Sequence, residues 1–242
     1  MNSQEPTVIQ GAVLRRVPAL GLKAGARILD APCGGAAALT RALRQMGFEA
    51  VGADIDQEAL ANLGEAFEKV NLDDVRLPWG DQSFDGVVST EGIEHLENHF
   101  SFLREVHRIL KPGGVLVLTT PNITSLRSRM RFFGSGFFGR DARPLNESAR
   151  HPLHHLGLAT FPELHYELHV SGFRIEAVGH THIKPVSYLY AIYAPWMWLY
   201  TLVAFRKEKD PAQRERNKEI HAALLSYSLL FGENLMLIAR KT

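Results

Sequence analysis

Between residues 26 and 120 short apolar runs alternate with longer amphipathic ones, the rhythm of strands and helices in βαβ units. The pattern predicts strands at Arg27 to Leu29, Ala50 to Ala53, Glu68 to Val70, Gly86 to Ser89 and Val115 to Thr120. Helices fill the gaps. Ala36 to Gln45 is Ala/Leu-rich and closed by Gly47, Gln57 to Phe67 follows an acidic start, and Phe100 to Leu110 stops at Lys111-Pro112-Gly113-Gly114. Strands this apolar, separated by helices, imply a parallel sheet covered on both faces.

After residue 121 the rhythm gives way to a loop rich in Arg, Gly and Phe over residues 123 to 150. It resumes with an amphipathic helix, Phe161 to Val170, a turn at Gly172 and a strand, Phe173 to Val178. The next strand, Leu235 to Ala239, comes only after an added segment, residues 179 to 234. Inside it Val186 to Phe205 carries no charge but holds Tyr188, Tyr190, Tyr193, Trp196, Trp198 and Tyr200.

Composition narrows the class. The 242 residues are 45% hydrophobic, which suits one core-forming domain with additions and excludes global disorder. The net charge of +1 gives no general attraction to nucleic acid, and none is expected as a partner. That figure is an average: residues 123 to 150 carry +4 and residues 206 to 218 carry +3, leaving −6 elsewhere. Cys33 is the single cysteine, and the start MNSQEPTVIQ lacks the basic-then-apolar build of a secretory signal, so a cytoplasmic location is expected.

The candidate chemistry begins where the first strand runs into Asp30-Ala31-Pro32-Cys33-Gly34-Gly35-Ala36 and then a helix. Small residues there let backbone N–H groups approach a ligand. Asp54 ends the second strand, where a carboxylate can accept both hydroxyls of a ribose, and Asp73 follows the third strand, placed to receive an amine such as that of adenine. Asp74 is its competitor by one position. The acid ahead of the glycines decides the ligand class, because Asp30 would repel a pyrophosphate and attract a cationic amino acid. A ligand with adenine, ribose, ammonium and sulfonium but no phosphate is S-adenosylmethionine.

Five stretches in order, ILDAPCGGAA, VGADID, LDDVRLPWGDQSFDGVVSTEGIEHL, LREVHRILKPGGVLVLTTPN and HPLHHLGLATFPELHYEL before SGF, resemble the class I S-adenosylmethionine-dependent methyltransferases. The similarity is to the branch of quinone-type O-methyltransferases and enzymes of polysaccharide clusters. It implies a single α/β domain over residues 1 to 242: a Rossmann-like three-layer sandwich whose seven-stranded, mostly parallel sheet has an antiparallel last strand. The added residues 179 to 234 become a helical insertion between the last two strands, and residues 123 to 160 an acceptor-side loop. Ala36 departs from the pattern, since many members have a third glycine there.

The resemblance also implies roles. Asp30 would hold the methionine ammonium directly or through water, with Pro32, Gly34 and Gly35 along the methionine part. Asp54 and Ile55 would meet the ribose, Asp73 the adenine amine, and Leu72 and Trp79 either the adenine ring or the core. Ser89 to His95, including Glu91, would face the transferring methyl. Direct transfer leaves Cys33 no role as a nucleophile. The implied reaction is methylation of an oxygen on a small or lipid-linked acceptor: a phenol or quinone precursor, a sugar hydroxyl or a carboxylate. Nitrogen or carbon acceptors, and a non-catalytic cofactor-binding subunit, are the alternatives.

An oxygen nucleophile must lose its proton, and His95 after the fourth strand is the candidate base, with Glu94 or Glu91 orienting it or the substrate. A cap or packing role for His95 is the competing reading. His151, His154 and His155 are further base or substrate-ligand candidates. His165 with His169 and His180 with His182 have ligand-like spacing but no nearby acid or cysteine, so no metal is expected. Residues 186 to 205 reach the length of a span, yet Pro195 breaks them and the aromatics occur throughout. With Lys184 before and Arg206-Lys207-Glu208-Lys209 after, they suit peripheral contact with the inner face of a membrane, or equally a homodimer or pocket cover.

Overall fold

The computed structural model describes residues 5–74, 76–138, 144–146, 148 and 154–242. Within them seven strands form one sheet: β1 Arg27–Asp30, β2 Glu49–Asp54, β3 Phe67–Lys69, β4 Phe84–Thr90, β5 Leu110–Pro121, β6 Phe173–His180 and β7 Asn234–Lys241. Their order is β3-β2-β1-β4-β5-β7-β6. Pairings from β3 through β5 are parallel, while β7 runs antiparallel to both β5 and β6.

Alternation along each strand builds the two cores, because successive side chains leave opposite faces. Ile28, Val88, Val115, Val117 and Met236 point to one face, against Ala12 and Val13 of helix α1 (Val8–Arg16) and Leu39 and Leu43 of α2 (Ala38–Gln45). Leu29, Val87, Leu116, Leu118 and Leu237 point to the other. There they meet Phe102 and Val106 of α4 (His99–Ile109), Phe161 and Leu164 of α6 (Phe161–Val170), and Ile220 and Leu224 of α8 (Pro211–Leu224). This is the three-layer sandwich expected.

Several boundaries differ for local reasons. The predicted start of α2 at Ala36 moves to Ala38, because Ala37 adopts a left-handed conformation, φ 47°, as the N-cap. The left-handed residue is therefore Ala37, and Ala36 does not share it. The helix predicted over Gln57 to Phe67 is broken: a 3-10 turn Gln57–Ala59, a single turn α3 (Leu60–Leu63) and another 3-10 turn Gly64–Ala66. Gly64 at φ 55° ends α3, which frees Phe67 to enter β3 opposite Gly52, one residue earlier than predicted. Lys111-Pro112-Gly113-Gly114 is a bulge within β5, since the pairing jumps from Phe84 with Leu110 to Gly86 with Val115.

The stretch 123 to 150, read as a loop, contains a helix, α5 (Leu126–Ser135), capped by Ser125 and ended by Gly136 at φ 73°. Helix α1 was not predicted, although Thr7 and Gln10 form a reciprocal capping box.

The insertion begins after His180, since β6 is two residues longer than predicted, and ends before Asn234. It comprises a 3-10 segment Pro185–Tyr193, α7 (Ala194–Phe205), α8 and α9 (Tyr227–Phe231). Pro195 stands in the first turn of α7, where a missing N–H costs little. No helix among the described residues is long and apolar enough to cross a membrane. Met197 is the one buried residue of α7, and Leu189, Ile192, Trp196, Tyr200 and Val203 are exposed.

Asn122, just past β5, ties the end of the insertion to the sheet. Its buried amide group donates to the carbonyls of Leu229 and Gly232, both at 3.0 Å, and its oxygen accepts the Thr124 N–H. Truncation would strand buried carbonyls, each costing about 1–3 kcal/mol. Asn122→Ala is expected to lower the urea midpoint by an amount in that range, with proteolytic nicking near residues 226 to 232 as the accompanying sign.

Candidate functional site

In an open parallel sheet, ligands bind beyond the carboxyl ends of the strands where the order of connection reverses. Here that point lies between β1 and β4. A cleft of about 740 Å³ opens there, lined by Pro32, Gly34, Asp54, Asp73, Glu91 and His95 among others.

The structure brings most of the predicted cofactor residues to this cleft. Asp54 Oδ2 accepts the Gly34 N–H at 2.8 Å, locking the glycine loop to the end of β2, and exposed Ile55 stands beside it. Gly34 has φ +67° and open space where a Cβ would stand, as a backbone kept clear for a ligand requires. Asp73 lines the cleft with Leu72, its Oδ1 accepting the N–H groups of Glu97 and Asn98 at 2.9 and 3.2 Å; Asp74 is not in the lining.

Three expected cofactor contacts, Asp30, Gly35 and Ser89, are placed elsewhere, and Trp79 takes the core role of its two readings. Asp30 is fully buried behind the glycine loop, where Oδ2 accepts the Thr40 hydroxyl at 2.6 Å and Oδ1 has no partner. Direct contact with an ammonium is closed in this geometry, which leaves the indirect route. Gly35 faces Glu58, whose side chain occupies the space a Cβ would need. Ser89 is fully buried with its hydroxyl unpartnered, one layer beneath Gly92. Trp79 packs edge-on against Phe84 at 5.5 Å, a core role. Sequence reasoning missed Gln10 and Asn71 in the cleft, and Gln10 arrives on α1, whose capping box was legible.

Glu91 is the wall between this cleft and a second cavity of about 340 Å³. It sits in a left-handed conformation, φ 52°, and accepts from Asn234 Nδ2 at 2.8 Å, a contact across 143 residues that no local pattern announces. Glu94 follows on a 3-10 turn, Ile93–His95, completely buried. Its Oε2 accepts the Thr120 hydroxyl at 3.0 Å, and Oε1 has no partner. Burial pushes Asp30 and Glu91 up to about 7 and, with a smaller push from the Glu91 charge, Glu94 up to about 8. Burial also raises the Cys33 thiol, so it stays protonated and is no nucleophile.

His95 lies in the cleft, with Nδ1 3.2 Å from the His154 carbonyl. A carbonyl only accepts, so Nδ1 carries the proton and Nε2 is the basic nitrogen. The His155 ring packs edge-on against His95 at 4.8 Å and lines the second cavity. His151 lies outside the described residues. Glu94, His95 and His155 each bring a ligand atom within 4.8 Å of one another, a carboxylate and two imidazoles of the kind that hold divalent cations. This is not the pairing of His165 with His169, or His180 with His182, that spacing suggested.

Residues 29–118 match the family model described as a methyltransferase domain. Over those residues the chain carries a methyltransferase domain. Its cofactor is S-adenosylmethionine, and the unpartnered Asp30 oxygen behind an open glycine loop fits that ligand's cationic end.

A probable S-adenosylmethionine-dependent methyltransferase of Mycolicibacterium smegmatis is 34% identical over 161 residues, 63% of this chain and 54% of that one. The ubiquinone biosynthesis O-methyltransferase of Ruegeria pomeroyi is 34% identical over 119 residues, 46% of this chain and 48% of its own. The chain spans about half the length of these relatives. The fold matches a methyltransferase of Archaeoglobus fulgidus with TM-score 0.60 at 20% identity, over 97% of this chain and 93% of that one.

The methyltransferase's three raised acids set a pH dependence. Their folded values stand above the ordinary carboxylate range, so the folded state holds protons that the unfolded chain has released. As far as these groups decide it, stability is expected to be greatest below the unfolded values of 3.8 to 4.5 and to fall as pH rises from there through 7 to 8. Glu94→Gln should flatten that decline, read as unfolding free energy against pH.

Proposed function

We propose that this protein transfers the methyl group of S-adenosylmethionine to an oxygen of a small acceptor held in the cavity beyond Glu91. The observation that carries the reading is the shared wall: two cavities meet at Glu91, with His95 on one side and His155 on the other. The cofactor supplies an activated methyl on a sulfonium, and the chain's part is alignment, exclusion of water and removal of one proton.

Asp54 and Asp73 take the ribose and adenine ends, and Asp30 lies buried beneath the methionine end, where a cation would favour its ionised form. His95 Nε2 takes the acceptor's hydroxyl proton, with Nδ1 anchored on the His154 carbonyl so that the ring cannot turn. Glu91 faces both cavities, and burial raises it to about 7, so it turns less negative charge toward a forming oxyanion than an ordinary carboxylate would. An oxygen acceptor of phenol or quinone-precursor type is supported by the Ruegeria relative's name. The exposed aromatic face of α7 and the preceding 3-10 segment supports peripheral contact with a membrane, which would suit a lipid-linked acceptor.

A second reading is favoured by the Glu94, His95 and His155 cluster: a bound divalent cation would hold the acceptor oxygen and ionise it in place of a base. The two separate cleanly. With a base, His95→Ala lowers kcat about 10²- to 10⁴-fold, leaves S-adenosylhomocysteine affinity near that of the parent, and turnover survives EDTA. With a cation, EDTA abolishes turnover and added metal restores it. Asp54→Ala should weaken S-adenosylhomocysteine in either case; a calorimetric titration that shows no change would sink the cofactor placement.

A further inference from the structure

The insertion turns an apolar side outward. Leu189, Ile192, Trp196, Leu199, Tyr200 and Val203 recur at intervals of three and four, which sets them on one side of the 3-10 segment and α7. All six are exposed, Ile192 at 77% and Trp196 at 64%. The packed side carries Met197, which is buried, Thr201, whose hydroxyl donates to the Met197 carbonyl at 2.8 Å, and Phe205, edge-on against His221 of α8. A helix that is apolar on both sides belongs inside something. Among the described residues nothing covers the outer side of α7.

The face continues onto α5. Arg129 Nη1 lies 3.5 Å from the Met197 sulfur, so the Arg129 side of α5 is turned to α7, and α5 also packs against the 3-10 segment. One turn on from Arg129, on that same side, stands Phe133, 86% exposed.

Charge selects the occupant. Residues 186 to 205 hold no charged side chain, and the chain after α7 brings exposed Arg206, Lys207 and Lys209 against Glu208 and Asp210. Backbone occupies both acids. Glu208 accepts the N–H groups of Lys209 and Asp210 at 2.7 and 2.9 Å, and Asp210 accepts those of Ala212 and Gln213 at the start of α8. The three cations have no ion-pair partner among the described residues, and with both acids counted this end of the face carries +1. Lys184, at the other end, is held by Glu233, and the arginines of α5 have partners of their own, so none of them is counted. A second copy of the chain would bring the same cations and, over residues 186 to 205, no acid to meet them. A bilayer with anionic headgroups meets both needs, since Trp and Tyr suit the headgroup level and the cations find phosphates there.

We propose that the outer face of the insertion, with Phe133 of α5, seats the chain on the anionic surface of a lipid bilayer, α7 lying in its plane, and that the acceptor is taken from that surface. The docking rests on the insertion alone, and the acceptor's route rests on the methyltransferase reading above. Both parts of the face lead to the acceptor cavity, because Lys184, which precedes the 3-10 segment, and Ser128 of α5 line it. A lipid-linked acceptor thus reaches Glu91 and His155 without leaving the interface.

The test sediments the full chain with vesicles of phosphatidylcholine containing about a quarter phosphatidylglycerol, and with vesicles of phosphatidylcholine alone. Binding is expected to the anionic vesicles, weaker at raised salt and weaker on the neutral ones. Trp79 packs on the core, so the accompanying blue shift of tryptophan emission reports Trp196 and Trp198. The variant Ile192→Ser/Trp196→Ser/Leu199→Ser, built on exposed positions, is expected to bind vesicles about ten-fold or more weakly while S-adenosylhomocysteine binds as to the parent. Lys207→Glu/Lys209→Glu should remove the preference for anionic vesicles. A parent chain that stays in the supernatant, as a monomer or as a dimer by sedimentation velocity, overturns the proposal, and so does vesicle binding that survives the triple variant. Failure to bind S-adenosylhomocysteine instead overturns the methyltransferase reading and leaves the docking result standing.

A second arm follows the acceptor. Label from S-adenosylmethionine incubated with the chain and washed cell membranes is expected in a chloroform-soluble product. Label found only in water-soluble products of the membrane-free extract contradicts the proposed route.

Discussion

Three carboxyl groups, on Asp30, Glu91 and Glu94, are kept from water at the carboxyl ends of β1 and β4. Burying a carboxylate without a cation is costly, and the molecule limits that cost by keeping these groups substantially protonated and giving each one neutral donor. Thr40 serves Asp30, Asn234 serves Glu91 and Thr120 serves Glu94. Each donor comes from a different element, so the helix after the glycine loop, the last strand and the end of β5 are all held in place by the same requirement. One oxygen of Asp30 and one of Glu94 remain without a donor.

The sheet was legible because its information is local. Short apolar runs gave every strand within a few residues, and alternation along them sorts side chains to the two faces, as Leu116 and Val117 illustrate. The glycine loop, Asp54 and Asp73 were legible because a strand end and the turn after it are contiguous in sequence. Helix ends were less so: one left-handed alanine shortened α2, and Gly64 broke a helix whose apolar pattern looked continuous.

The acceptor side was not legible, since its residues come from separate places. Glu233 and Asn234 stand at the end of a long insertion, Lys184 lies near its start, and Arg127 is in a segment that read as a loop. Histidine spacing misled for the same reason. His165 and His169 share a helix, but the imidazoles that meet are those of His95 and His155, sixty residues apart. Asp30 shows the opposite error. It was read as an anion, yet burial raises it to about 7, and nothing in the sequence tells that its carboxyl group would turn inward to Thr40.

The antiparallel seat of β7 between β5 and β6 has a consequence for synthesis. Until β7 arrives, β5 is an unpaired edge whose run from Val115 to Leu118 is apolar, and such edges recruit other strands. A nascent chain must carry that hazard while the whole insertion emerges from the ribosome. The last strand then covers the edge and delivers Asn234 to Glu91 in the same docking step. Protection from aggregation and completion of the acceptor wall are thus one event, and a chain interrupted before residue 234 has neither.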